Sequence, residues 1–259
     1  MEPLFFGSSS SPLYGVYHAP DQSVFGSKAV VLCYPGGHEY MRIHRAYRQL
    51  ASSLNRLGYH VLRFDYFGVG DSAGEHDEHT MERWNADLKH AVEELRSLSG
   101  AKQVDLIGLR LGSLVAAQEA STNKSVRRLV LWEPMLSGQV FVDEMLAHMN
   151  RFGVSESNFF DDSGNLHFHG YNFSSSTLES IKNLQLDKFQ WSNKPKVMTL
   201  SASDNSLTSP IKAYCEGQFD NCDHLYVDGL KNWNLLDAIG GLFLPMDSVN
   251  AIVNWMSEN

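Results

Sequence analysis

Val104-Asp105-Leu106-Ile107-Gly108-Leu109-Arg110-Leu111-Gly112-Ser113-Leu114-Val115-Ala116-Ala117-Gln118-Glu119-Ala120 is the stretch that decides the architecture of this chain. Residues 104–107 form a short apolar run of the buried-strand kind, and 113–120 are small or apolar residues suited to a helix. Between them, Gly108 and Gly112 stand two positions either side of Arg110. Glycines so placed let the backbone pass from strand to helix in one sharp turn, holding the central residue in a strained conformation at the carboxyl edge of a sheet.

Working outward, the same unit recurs. Residues 29–33 (AVVLC) read as a buried strand that ends at Tyr34-Pro35-Gly36-Gly37. Residues 43–57 follow with helical spacing and Gly58 in the C-cap position. Residues 59–64 (YHVLRF) predict the next strand, 84–98 an amphipathic helix ending near Gly100, and 126–132 a strand entering Glu133. The rhythm breaks over 134–186, rich in Gly, Ser and Asn, where no buried strand is expected. That segment reads as a small lid insertion, with an alternating run at 166–173 and a short helix at 178–186. Strands at 197–201 and 225–227 and a helix at 249–256 close the pattern. The expectation is one α/β domain over 1–259: a mainly parallel central sheet, helices on both faces, and a lid.

The strand-turn-helix glycines, Tyr34-Pro35-Gly36-Gly37-His38-Glu39, Arg63-Phe64-Asp65-Tyr66-Phe67-Gly68-Val69-Gly70-Asp71-Ser72-Ala73-Gly74 and Ser203-Asp204 together resemble the α/β-hydrolase superfamily over nearly the whole chain. The RFDYxGxGDSxG stretch is similar to the serine-aminopeptidase-like branch. CYPGGHEY, GLRLGS and LWEPMLSG resemble a subgroup, found beside exosortase or biosynthetic genes, whose members often carry Arg at the turn. The resemblance implies an α/β-hydrolase fold, a nucleophile at position 110, an acid at Asp204 and a histidine after the last strand.

Two of the three expected catalytic residues fail on the sequence itself. Arg110 is permanently protonated and offers donors but no nucleophilic lone pair. The segment Gly229-Leu230-Lys231-Asn232-Trp233-Asn234 contains no histidine, and His224 would precede the last strand. A Ser-His-Asp mechanism therefore lacks two of its members. At a helix amino terminus the Arg110 cation calls for an anion. One reading is an internal pair with Glu133 or Asp204. The other is a ligand carboxylate or phosphate held by Arg110, with the N–H of Leu111 and a donor from Gly36, Gly37, His38 or Glu39 assisting. His38, Glu39, Glu133 and Asp204 are the acid/base groups expected in the site.

Simpler readings cover the remaining candidates. Ser113 lies inside the helix, its hydroxyl pointing away from the cleft or bonding the preceding turn; Cys33 is a small core residue. His76-Asp77-Glu78-His79 reads as a polar loop and not a metal site, and His167 with His169 shares one face of an extended segment. Gly68-x-Gly70-x-x-x-Gly74 has the wrong spacing for a dinucleotide loop, so no cofactor or metal is expected. The 30 Asp and Glu against 21 Lys and Arg give a net charge of −9, which opposes a nucleic-acid partner. Residues 1–12 lack a signal-peptide pattern, no apolar run reaches the roughly 18–20 residues of a membrane span, and three cysteines form no metal or framework motif. A cytoplasmic protein acting on an acyl or anionic small molecule is expected. Non-covalent catalysis, a binding or accessory role, and a conventional serine esterase remain the alternatives, and the oligomeric state stays open.

Overall fold

The computed structural model describes residues 1–21, 28–151, 153, 155, 158–227 and 244–258. Its centre is an eight-stranded sheet. The first two strands, β1 (Glu2–Ser8) and β2 (Ser11–His18), form an antiparallel hairpin, and β2 also lies antiparallel to β4 (Tyr59–Phe64). All the other pairings are parallel. They add β3 (Lys28–Cys33), β5 (Val104–Leu109), β6 (Val126–Trp132), β9 (Lys196–Ser201) and β10 (Cys222–Tyr226), in the order β1-β2-β4-β3-β5-β6-β9-β10. The continuous apolar runs follow from this arrangement. A parallel strand covered on both faces has no solvent side on which to alternate, and every residue of β5 is buried.

The helices form two packed groups. Helix α1 (Glu39–Arg56) lies with α7 (Met246–Ser257), and α2 (Met81–Ser99) packs on α3 (Leu111–Thr122). Helix α2 begins three residues before the expected Trp84 because the Thr80 hydroxyl accepts from the Arg83 N–H at 3.3 Å, and it ends at Gly100, at φ 68°. The last strand-flanking helix, α6 (Ser209–Gln218), has Pro210 in its first turn, where a missing N–H costs nothing.

The segment between β6 and β9 is more regular than its composition suggests. It holds α4 (Gly138–Arg151), the two-stranded sheet of β7 (Leu166–Phe168) and β8 (Tyr171–Phe173), and α5 (Ser175–Asn183). The expectation of an irregular lid missed α4. The helical spacing of Phe141, Val142, Met145 and Met149 is the face it buries. Residues His169 and Gly170 join β7 to β8 with φ 49° and 84°, as the tightest hairpin turns require. His169 is therefore in a turn and does not share an extended face with His167, which is exposed and beside Asp161.

The polar loop reading of residues 76–79 also needs correction. His79 is buried and stacks on Trp84 with ring centroids 5.2 Å apart, while His76 Nδ1 lies 2.9 Å from the Asn172 carbonyl. Both histidines fasten the loop after β4 to the β7–β8 hairpin. Among the described residues no helix is long and apolar enough to cross a membrane, and no cluster of three His, Cys, Asp or Glu is arranged to hold a metal.

Candidate functional site

The carboxyl ends of β3, β5, β6 and β9 meet along one edge of the sheet, and each delivers a residue singled out from the sequence. The turn after β5 is the sharpest. A Cβ on Gly108 would sit 2.3 Å from the Gly112 carbonyl oxygen, and one on Gly112 would sit 2.4 Å from that of Tyr34. Backbone approaches so closely on both sides that only glycine fits, which is why the pair brackets position 110. Between them Arg110 holds φ 54° and ψ −120°, outside the regions side chains ordinarily adopt. Its N–H donates to Trp132 O at 2.9 Å, tying the turn to β6. Ser113 points back into the helix, its hydroxyl donating to the Arg110 carbonyl at 2.6 Å.

Arg110 is 7% exposed. Its Nε donates to Glu39 Oε1 at 3.1 Å, and its Nη2 donates to Glu144 Oε2. Burial alone would lower the arginine's pKa, but the two carboxylates outweigh it and raise it above its ordinary value. One cation between two carboxylates leaves a formal charge of −1 on the cluster. The expected internal partners, Glu133 and Asp204, are not the ones observed. Helix α1 starts at Glu39, directly after His38, and so sets that carboxylate in its first turn, while α4, absent from the sequence expectation, supplies Glu144.

Asp204 is exposed, and its carboxylate accepts from the Ser209 hydroxyl at 2.7 Å at the start of α6. It therefore does not join Arg110. Glu133 does reach the site. It follows β6 at φ 43° with its N–H bonded to Leu200 O at 2.7 Å, and it lines a cleft of about 530 Å³ together with Arg110, Glu144 and Arg151. Burial pushes its carboxyl up to about 7, a backbone hydrogen bond from Ala202 and the charge of Arg110 pull it down, and Glu144 and Glu39 raise it further. Its Oε1 makes no hydrogen bond among the described residues. The rest of the wall is largely apolar, from Met135, Leu136, Val140, Leu207 and Ile211, with Ser137, Ser203, Asn205, Ser206 and Thr208 interspersed. No histidine among the described residues lines it.

His38 occupies a different place. It lines a niche of about 20 Å³ shared with Glu39, Arg110, Glu144 and His148, and packs edge-on to Phe168. Burial first, then His169 and Arg110, push its imidazole down to about 3, so it is neutral at pH 7. A base that weak takes up few protons at neutral pH, against the acid/base role expected of it. Gly36 and Gly37 do come against the turn. A Cβ on Gly36 would meet Leu111 Cδ2 at 2.9 Å, and Gly37, at φ 56°, faces Phe173. Glu144 and Arg151 are the cleft residues that sequence reasoning missed, both on α4. The segment 228–243, where a triad histidine was sought, lies outside the described residues.

A parallel sheet with a glycine-bracketed strand-to-helix turn, and a cleft above the carboxyl ends of its strands, defines the α/β-hydrolase class. Solved structures agree over the whole chain. Est1E from Butyrivibrio proteoclasticus with bound ferulic acid superposes with a TM-score of 0.69 at 16% identity, covering 98% of each chain. The DcsB complex with its substrate analogue gives 0.68 at 16% identity, over 100% of this chain and 99% of the other. The mouse alpha/beta hydrolase domain-containing protein 10 gives 0.63 at 13%, over 100% and 99%. The family profile described as serine aminopeptidase, S33, matches residues 26–202, and the chain belongs to that family of α/β-hydrolases. Among curated relatives, the lysophosphatidylserine lipase ABHD12 of Gallus gallus is 36% identical over 97 residues, 37% of this chain and 24% of that protein. Its Xenopus tropicalis counterpart is 40% identical over 68 residues, 26% and 17% of the two chains. The matched stretch thus spans about a quarter or less of these relatives' length.

Proposed function

We propose that this chain takes an acyl small molecule into the cleft above β5, β6 and β9 and acts on it without a covalent intermediate. The carrying observation is the pairing of opposites at the sheet edge: Arg110, bound to Glu39 and Glu144, stands at the turn, while Glu133 opens into the cleft with its carboxyl near 7. A group with that pKa is part carboxylate and part acid at neutral pH, so it can take a proton from water or return one to a leaving group. Arg110 spends two of its five N–H donors on the carboxylates and lines the same cleft, so others remain for a substrate carbonyl oxygen. The apolar wall suits an acyl chain, and the lipase names of the curated relatives fit that substrate class. In this reading the chain is one domain, residues 134–186 form its cap, and it works in the cytoplasm with no nucleic-acid partner or cofactor.

Wild-type turnover of a panel of acyl esters, thioesters and lactones tests the proposal against the Glu133→Gln variant. The expected rate rises or falls through a single ionisation near pH 7, and Glu133→Gln reduces kcat by about 100-fold or more. Full activity in the variant overturns the role of Glu133.

A second reading, a binding or accessory protein without turnover, is favoured by the doubly paired Arg110 and by Asp204 turned away toward Ser209. It predicts no turnover across the panel together with a ligand-dependent rise in melting temperature.

A further inference from the structure

A second arginine at the sheet's carboxyl edge is neutralised far less well than Arg110. Arg63, near the end of β4, is 5% exposed. Its Nε donates to His18 Nε2 at 3.3 Å and its Nη1 to the Tyr34 hydroxyl at 3.1 Å. Both partners are uncharged: burial, followed by the charge of Arg63, pushes His18 down to about 4. Among the described residues no carboxylate oxygen lies within ion-pair distance of Arg63, and its Nη2 makes no hydrogen bond. A buried, permanently charged group is ordinarily paired, because desolvation without an anion is costly.

The side chain faces a cavity of about 260 Å³ separate from the cleft at Glu133. Tyr34, His44 and Arg48 line the same cavity, as do Asp65 and Asp71. Neither acid forms an ion pair with Arg63 among the described residues, although both put a carboxylate in the cavity beside Arg63 and Arg48. Asp65 is already engaged, accepting from the Tyr40 hydroxyl at 2.7 Å and from the Asp71 N–H at 3.1 Å. Asp71 is exposed. Tyr34 accepts from Arg63, so its own hydroxyl proton remains available to an incoming oxygen.

We infer that this cavity is a binding site for a small oxyanion, a carboxylate or phosphate group. Arg63 and the Tyr34 hydroxyl are its buried donors, and Arg48 is a cation at its rim. A ligand anion, one of the two readings open for Arg110, fits better at Arg63, since Arg110 is already held by two carboxylates. Guanidinium planes match two oxygens of either group, so carboxylate and phosphate share the same recognition chemistry.

The full-length chain is titrated with sodium phosphate and with sodium acetate, each against sodium chloride at equal ionic strength. Melting temperature and calorimetric heat are the readouts. Saturable binding of phosphate or acetate above chloride is expected, and the stronger of the two identifies the group. Removing one charge-assisted hydrogen bond weakens binding by about tenfold or more, which Tyr34→Phe and Arg63→Gln should each show. Arg151→Gln, in the cleft, should leave the affinity unchanged. Should Arg63→Gln fail to fold, Tyr34→Phe alone decides. The inference is overturned if neither anion binds above chloride, if Tyr34→Phe leaves the affinity intact, or if Arg151→Gln abolishes it.

Discussion

Replacing Arg110 by methionine removes the cation between Glu39 and Glu144 while keeping most of the side chain's volume. In the wild type the side chains of Arg110, Glu39 and Glu144 are 8%, 4% and 27% exposed, so most of the cluster is out of water. Leaving a buried charge without its partner costs roughly 3–5 kcal/mol, and the two carboxylates would then also repel one another. With an m-value of about 3 kcal/mol per molar urea, the unfolding midpoint at pH 8 should fall by about 1–2 M. The penalty should depend on pH in a defined direction. In the variant the two carboxylates face one another without the cation between them, and protonating either one relieves the repulsion. Stability is then lowest at high pH and is regained as the pH falls and the carboxylates are protonated. Urea unfolding followed by tryptophan fluorescence at pH 8 and pH 5 measures both effects, and adding Glu39→Gln and Glu144→Gln should restore most of the loss. A variant as stable as wild type at pH 8, or a deficit that is the same at both pH values, would refute the reasoning.

Glu133 is the mirror case. Its folded carboxyl, raised to about 7 from an ordinary value of 4.5, weakens the fold as the pH rises between those values. Glu133→Gln should therefore be more stable than wild type by about 1–3 kcal/mol at pH 8, and no more stable below about pH 5, in the same urea titrations. Gly112→Ala drives a Cβ to 2.4 Å from the Tyr34 carbonyl, and should cost about 3 kcal/mol or more, read from thermal melts by circular dichroism. Asp204→Asn should change stability by no more than about 0.5 kcal/mol and leave turnover or ligand binding intact, since the side chain is exposed and, among the described residues, bonded only to Ser209. A large loss of activity in Asp204→Asn would restore that residue to the site.

The parts of the fold that could be read from sequence are those where local chemistry leaves one option. Gly108 and Gly112 bracket Arg110 because backbone passes within atomic contact on both sides, and the buried run at Val126–Trp132 forms β6 at the expected residues. Elements whose signal is diluted were missed. Helix α4 begins at Gly138 directly after Ser137, residues that read as a loop, and its apolar positions alternate with Asp143, Glu144 and His148. The β1–β2 hairpin was considered only as a possible export signal. The site was half legible for a related reason. Position relative to a strand end is local, so Arg110, Glu133 and Asp204 were all placed at the correct edge. Which carboxylate meets Arg110 is not local: Glu39 lies 71 positions away and Glu144 lies 34 away on an unrecognised helix. Asp204 followed its strand as expected, yet its side chain turns outward and accepts from the Ser209 hydroxyl at the start of α6.

The account rests on a cleft that works without a covalent serine intermediate. Ser137, Ser203 and Ser206 line that cleft, so the claim is exposed to direct chemical test. Incubating the pure chain with a fluorophosphonate probe and weighing the intact protein measures it in one step. The mass should remain that of the unmodified chain. A stoichiometric adduct mapped to one of those serines would contradict the account.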